Sequence, residues 1–141
     1  MKILAVDLGK ARTGLAICDE NEHLASPVGV ISDRYWVRLA QTIAAEAKQR
    51  EVGCIVVGLP RNMDGSEGES AQNARAFAED LKALVTVPVE LRDERGTSIT
   101  AHGYLNTTDT RGKKRKAVVD AVAATIILQD YLDYRRNQKD Q

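Results

Sequence analysis

Residues 2–19 read KILAVDLGKARTGLAICD, and this stretch contains two apolar runs joined by a short polar turn. The first run covers residues 2–8 and ends at Gly9, and the second covers residues 13–19. Apolar runs of this length that are bounded by turn residues indicate buried β-strands. A weaker run at residues 24–31 contains Pro27, which favours an edge strand or a bulge. Because the connections are short, we expect an antiparallel meander.

The rest of the chain alternates between helical and strand-like patterns. Helices are predicted from Asp33 to Val52, where Gly53 would end the first, and over residues 70–84. Strands are predicted at residues 54–60 and 87–92. The predicted core-facing residues of the two helices are Val37, Ala40, Ile43, Ala44 and Ala47, and Ala71, Ala74, Phe77, Ala78 and Leu81.

Beyond residue 92 the pattern predicts a short helix, a polar basic loop and a final helix. The short helix would run from Thr97 or Ser98 to about Leu105, and the final helix from about Ala117 to Tyr134. Residues 135–141 are predicted to be a polar, frayed tail. Residues 1–141 are therefore expected to form one α/β domain, with a mixed five-stranded sheet whose later strands are parallel and helices on both faces.

Composition excludes several classes of protein. The chain has 20 basic and 20 acidic residues, so its net charge says nothing for or against a nucleic-acid partner. Cys18 and Cys54 lie in apolar runs and are predicted to be buried rather than zinc ligands. The chain lacks a signal-peptide pattern and any apolar run approaching about 18 residues. We therefore expect a cytoplasmic protein with no membrane partner.

Three acidic positions are unusual for their surroundings. Asp7 interrupts an apolar strand, although an Asp that caps a turn is the common alternative. Asp120 lies on the apolar stripe of its helix, although the helix dipole alone also favours an acid near the N-terminus. Glu94, in the Asp93-Glu94-Arg95 triplet, directly follows a strand, although a solvated loop would have the same composition.

Together these acids predict a metal site if the fold brings them to one place. Clustered carboxylates repel one another, and a divalent cation removes that repulsion. Oxygen ligands suit Mg²⁺ or Mn²⁺, and we expect two such ions, because a pair can activate water and stabilise the leaving oxygen of a phosphodiester. Asp7, Glu94 and Asp120 are thus the predicted catalytic metal ligands. Asp93 is a candidate to support them, or to replace Glu94 if the strand register differs by one residue.

Basic and glycine residues surround the predicted site in the sequence. Gly9 and Gly14 would let the backbone turn and approach closely beside Asp7, with Lys10 and Arg12 adding positive charge. The strand-to-helix loop after residue 60 could bind phosphate, and otherwise only connects two elements. The basic run at residues 111–116, RGKKRK, could be a solvated charge cluster or a phosphate contact. The predicted nucleic-acid contacts are Lys10, Arg12, Arg61, Asn62, Arg95, Lys113, Lys114, Arg115 and Lys116.

Four segments together resemble the YqgF family, also called RuvX: KILAVDLGKARTGLAI, IVVGLPRNMDGSEGESA, VELRDERGTSITAHGYL and KRKAVVDAVAATIILQDYL. The resemblance extends from Lys2 to about Leu132. It implies an RNase H-like fold and a metal-dependent nuclease that acts in precursor 16S rRNA processing and ribosome biogenesis, or on Holliday junctions in DNA recombination. The family's acidic positions correspond to Asp7, Glu94 and Asp120. One departure is Gly96, where the family usually has a bulky or apolar residue.

Four functions are therefore compared. The first is a nuclease that trims the 5′ region of precursor 16S rRNA, and the second is a resolvase of branched DNA. A resolvase that cuts two strands symmetrically would normally be a stable dimer, whereas this sequence suggests a monomer or weak homodimer. The third, an ATPase related to actin and sugar kinases, would need two such domains. The fourth, a non-catalytic RNA-binding module, would not need the three acids.

Overall fold

The structure is a computed structural model that describes the chain except Lys10, Met63, residues 94–111 and residues 140–141. For residues 112–121 and Lys139 it describes the backbone only. In chain order, the elements are β1 (Ile3–Leu8), β2 (Thr13–Cys18), β3 (Ala25–Ile31), α1 (Trp36–Gln49), β4 (Cys54–Leu59), α2 (Glu69–Leu84), β5 (Val89–Asp93) and α3 (Gly112–Lys139). The short helix predicted at residues 97–105 lies outside the described residues.

The strands form a five-stranded sheet in the order β3-β2-β1-β4-β5. β1 pairs with β2 and β2 with β3 in antiparallel fashion, whereas β1, β4 and β5 run parallel. This arrangement confirms the predicted mixed sheet with its N-terminal meander. β3 lies at an edge, and its register shifts beside Pro27, so both structural consequences expected of that proline are present.

The central strands are buried on both faces of the sheet because alternate side chains point in opposite directions. Leu4 and Val6 of β1 belong to the core cluster that α1 and α2 cover. Ile3 and Ala5 belong to a second cluster that α3 covers, where Leu128 is fully buried. Both cysteines are buried free thiols, as predicted. No helix among the described residues is long and apolar enough to cross a membrane.

The buried face of α2 was predicted correctly at all five positions, but that of α1 was not. Leu39 is buried, whereas the side chain of Val37 is 57% exposed and Ala44 is only half-buried. The helix begins at Trp36 rather than at Asp33, whose carboxylate instead accepts a hydrogen bond from the Tyr35 amide. It ends at Gln49, and Glu51 takes the left-handed conformation (φ 57°) that Gly53 was expected to supply. Gly53 instead packs against Met1, whose side chain would lie 2.6 Å from an added Cβ.

The last helix begins earlier and ends later than predicted. α3 starts at Gly112 rather than near Ala117 and continues to Lys139. The basic residues 113–116 are thus helical, not part of a loop, and residues 135–139 continue the helix where a polar tail was expected. Lysine and arginine are good helix formers that contribute nothing to an apolar stripe, so the stripe underestimates the length of the helix.

A candidate active site at the carboxyl edge of the sheet

The carboxyl ends of β1, β4 and β5 meet at one edge of the sheet because these three strands are parallel. Asp7 is the next-to-last residue of β1, and Leu59 and Asp93 are paired at the ends of β4 and β5. Ligand sites in open α/β sheets commonly lie beyond this edge. Asp7 therefore lies at the edge of the sheet where ligand sites of such folds are commonly found.

Asp7 lies on the face of the sheet that α3 covers. Strand alternation puts it on the same side as Ile3 and Ala5, which belong to the α3-facing cluster. Its partner in the antiparallel pair is Gly14, which has no side chain to cover the carboxylate. Asp7 is half-buried, so this acid is neither enclosed in the core nor fully in solvent.

The turn after Asp7 depends on a close backbone approach. A Cβ at Gly9 would lie only 2.3 Å from the carbonyl oxygen of Arg12, so a larger residue would force the turn to move. This contact gives Gly9 a physical role that the spacing had suggested. Arg12 is half-buried in the turn, one residue before β2. Lys10, also predicted to contact nucleic acid, lies outside the described residues.

Asp93 lies on the opposite face of the sheet from Asp7. It shares its side of β5 with Val89 and Leu91, which pack in the cluster covered by α1 and α2. An Arg61 Nη1 atom lies 3.9 Å from its carboxylate. Glu90 and Arg92 occupy the other side, where they contact Tyr131 and Asp130 of α3. This geometry argues against the alternative in which Asp93 replaces Glu94.

The loop between β4 and α2 is held together by its own side chains. Arg61 Nε lies 3.3 Å from Glu67, which also accepts hydrogen bonds of 2.7 and 2.8 Å from Arg75. The Arg75 hydrogen bond is the main reason that the pKa of Glu67 is lowered. The Asn62 carboxamide donates to Ser66 Oγ (2.9 Å). Arg61 and Asn62 therefore have structural partners with which a phosphate would have to compete.

The remaining predicted residues belong to α3 or lie outside the described part of the chain. Asp120 is in α3, three and four residues before Ala123 and Ala124, which are 2% and 0% exposed. Lys113, Lys114, Arg115 and Lys116 are in its first turns. Glu94 and Arg95 lie outside the described residues. Among the side chains that are described, no group of three acidic, histidine or cysteine residues could hold a metal.

Sequence reasoning did not identify a cleft of about 320 Å³ beside the end of β1. It brings Trp36 of α1 together with Glu69, Ser70 and Asn73 of α2 and with Gly9. The only available signal was an isolated tryptophan at the start of a predicted helix, and nothing in its spacing pointed to α2.

Similarity to known proteins agrees with this fold. A family model described as "RuvX: Holliday junction resolvase" matches residues 1–134. A relative from Anaeromyxobacter sp. (strain Fw109-5), named "Putative pre-16S rRNA nuclease", is 47% identical over 135 residues, which are 96% of this chain and 98% of the relative.

Two solved structures share the architecture. T. thermophilus RuvC in complex with a Holliday junction substrate aligns with a TM-score of 0.58 at 14% identity, over 96% of each chain. Fowlpox virus resolvase in complex with its Holliday junction DNA aligns with a TM-score of 0.55 at 13% identity, over 96% of this chain and 99% of the resolvase. These likenesses confirm the predicted RNase H-like fold.

Proposed function

The chain belongs to the RuvX family, and from this membership we propose that it is a divalent-metal-dependent nuclease that processes the 5′ region of precursor 16S rRNA. The observation that carries the chemical part of this proposal is the position of Asp7. A half-buried carboxylate sits at the carboxyl edge of the sheet, on the face against which α3 packs. Carboxylate oxygens are the ligands that divalent cations such as Mg²⁺ prefer, and sites in open α/β sheets commonly lie at this edge.

We assign the metal ligands to Asp7, Glu94 and Asp120. Glu94 directly follows Asp93, the last residue of β5, and Asp120 belongs to the helix that covers the Asp7 face. The donor set consists of carboxylate oxygens, which fits Mg²⁺ or Mn²⁺ and does not fit zinc. Two such ions would supply an activated water and stabilisation of the leaving oxygen. The role of the three acids is to hold these ions beside the scissile phosphate.

Basic residues around this edge would hold the flanking backbone of the nucleic acid. Arg12 is in the turn after β1, and Lys113 to Lys116 form the first turns of α3. Lys10 and Arg95 are sequence neighbours of the proposed ligands. Arg61 and Asn62 contribute less to binding of the nucleic-acid backbone in this proposal, because both already contact other side chains of their loop. A precursor-rRNA substrate and two free buried thiols both suit a reducing, cytoplasmic location.

A resolvase that acts on branched DNA is the second candidate, because the family model and both structural neighbours carry that description. The two functions require the same carboxylates and differ in the nucleic acid and in symmetry. Paired cuts need a two-fold dimer, so the mass of the protein in solution discriminates between them. We expect a monomer or a weak homodimer, and a stable dimer would favour the resolvase.

The decisive experiment compares cleavage of a precursor-rRNA fragment and a four-way DNA junction, each with Mg²⁺ and with Mn²⁺. We expect cleavage of the rRNA fragment that stops on chelation. Asp7→Asn should lower the rate by about a thousandfold, or roughly 4 kcal/mol of transition-state stabilisation, with little change in binding. Asp80→Asn, at an exposed position of α2, is the matched control. Cleavage by Asp7→Asn at the wild-type rate would contradict the mechanism.

A further inference from the structure

A cleft lies at the same edge of the sheet as Asp7 but on the face covered by α1 and α2. Its volume is about 320 Å³, and its lining residues are Leu8, Gly9, Trp36, Glu69, Ser70 and Asn73. Ligand pockets begin at roughly 300 Å³, so this cleft can take a single nucleotide but not a duplex.

Trp36 gives the cleft a rigid aromatic surface. The residue is half-buried and packs against the core. Its ring meets the fully buried ring of Phe77 edge-on, with centroids 6.5 Å apart and planes at 74°. Part of the Trp36 side chain remains exposed and lines the cleft. Aromatic side chains held in this way are the usual platforms for unpaired bases.

Two polar side chains lie beside Trp36, the exposed Glu69 and the half-buried Asn73. Among the described residues, no side-chain hydrogen bond or ion pair is formed by Glu69 or Asn73, although both line the cleft. The Glu69 carboxylate only accepts hydrogen bonds and repels phosphate, so it favours a base over a backbone contact. Adenine and cytosine present an exocyclic amino donor, whereas uracil lacks an amino group and carries a carbonyl oxygen where cytosine has one. The Asn73 carboxamide both donates and accepts.

We propose that this cleft binds an unpaired nucleobase with an exocyclic amino group, next to the nucleotide that is cut. The proposal rests on the nuclease function for its class of ligand. Leu8 and Gly9 directly follow Asp7, so one substrate strand that crosses the sheet edge can reach both places. A base stacked in a duplex cannot enter, and the cleft thus selects substrates that are unpaired beside the cut.

Trp36 is the chain's single tryptophan, so its fluorescence reports on the cleft directly. The probes are short end-labelled oligoadenylate, oligocytidylate and oligouridylate, added with EDTA so that no cleavage occurs. Anisotropy of the label measures binding independently. We expect the adenine and cytosine oligonucleotides to quench Trp36 and to bind about tenfold more tightly than the uracil oligonucleotide. A base-paired RNA of the same length should bind without quenching.

Variants test the two polar groups and the aromatic platform. Glu69→Gln should remove most of the preference for amino-bearing bases, and Asn73→Ala should weaken binding about fivefold. Gln72→Ala changes an exposed neighbour on the same turn of α2 and should bind as the wild type does. Trp36→Leu, checked for folding by circular dichroism, should weaken binding about tenfold, which is typical of losing one base–aromatic stack.

Three outcomes distinguish failure of the cleft proposal from failure of the nuclease function. If the oligonucleotides bind and precursor rRNA is cut, but Trp36 fluorescence does not change, the cleft proposal alone is overturned. The same holds if Glu69→Gln and Asn73→Ala both behave like Gln72→Ala. If no nucleic acid binds by anisotropy and none is cut, the nuclease function fails, and the cleft proposal fails with it.

Discussion

Gly9 controls the geometry of the turn that follows Asp7. Its Cα faces the Arg12 carbonyl so closely that an alanine Cβ would sit 2.3 Å from the oxygen. The obstacle is backbone rather than the end of a flexible side chain, so relief requires the whole turn to shift. A shift of the turn also moves the carboxylate two residues earlier in the chain.

We predict that Gly9→Ala lowers the free energy of unfolding by about 1–3 kcal/mol and reduces cleavage together with it. Gly68→Ala is the control, because a Cβ at Gly68 meets nothing within 4 Å. Gly68 is the N-cap of α2, so the control should cost less than about 1 kcal/mol. Urea unfolding and cleavage rates measure both effects, and equal behaviour of the two variants would contradict the argument.

Cys54 makes stability depend on pH in the alkaline range. Burial is the main cause, and the nearby Glu90 charge the second, of a rise in its pKa from 9.0 to about 12. The unfolded chain therefore releases the thiol proton at a lower pH than the folded chain does. This contribution to stability is complete below pH 9 and is lost progressively as the pH rises from 9 to 12.

Between pH 8 and pH 10.5 the free energy of unfolding of the wild type should thus fall by up to about 2 kcal/mol more than that of Cys54→Ala. Urea unfolding of both proteins at the two pH values measures the difference, and other titrating groups cancel in the comparison. Parallel pH profiles for the two proteins would show that Cys54 does not titrate as described.

At the scale of elements, α3 is fixed to both edges of the sheet through its C-terminal half. The Ala25 amide of β3 donates to Gln129 Oε1 (3.2 Å), and Arg92 of β5 donates to Asp130 (2.8 Å). Further along, Arg135 donates to Glu22 (2.6 Å) in the turn between β2 and β3. These contacts set the direction in which the N-terminal half of α3, with Asp120, must run.

We predict that Arg135→Ala lowers the free energy of unfolding by about 1–3 kcal/mol, because it leaves the mostly buried Glu22 carboxylate without its main cation. The side chain of Glu22 is only 13% exposed and that of Arg135 27%. Arg136→Ala is the control, since Arg136 and its partner Asp133 are 50% and 55% exposed. The control should change stability by no more than about 0.5 kcal/mol in urea unfolding. Similar losses in both variants would contradict the prediction.

Across the whole molecule, charge is balanced in number but not in position. The 20 basic and 20 acidic residues cancel, yet four consecutive basic residues, 113–116, occupy the start of α3. Nucleic-acid affinity therefore depends on this local density, and each phosphate contact that it makes releases counterions.

The double variant Lys113→Ala, Lys114→Ala should bind RNA more weakly. The slope of log affinity against log salt concentration should also become less steep, by about 1 to 2. Lys48→Ala with Lys82→Ala is the charge-matched control, because these lysines lie in the last turns of α1 and α2, at the opposite edge of the sheet. Binding titrations over a series of salt concentrations measure both slopes. If the salt dependence of binding falls as much in the control as in the Lys113/Lys114 variant, net charge rather than the basic run governs binding.

Local pattern was sufficient for most of the fold. The five strands, the buried face of α2 and the edge position of Pro27 were all predictable, because periodicity and turn chemistry depend on near neighbours in the chain. The errors occurred where local signals were incomplete. α1 buries Leu39 rather than Val37 because the sheet determines which side of the helix is covered, and α3 begins in basic residues without an apolar stripe.

For the site, the sequence alone determined the types of residue: an acid at the end of a buried strand, the glycine beside it and the later acids. Tertiary structure decided how the elements face one another. The alternation of side chains along β5, together with its pairing in the sheet, puts Asp93 on the opposite face from Asp7. Only the packing of α1 against α2 places Trp36 beside Glu69. The physical reason is that faces and clefts depend on register and helix packing between distant segments, which no local pattern encodes.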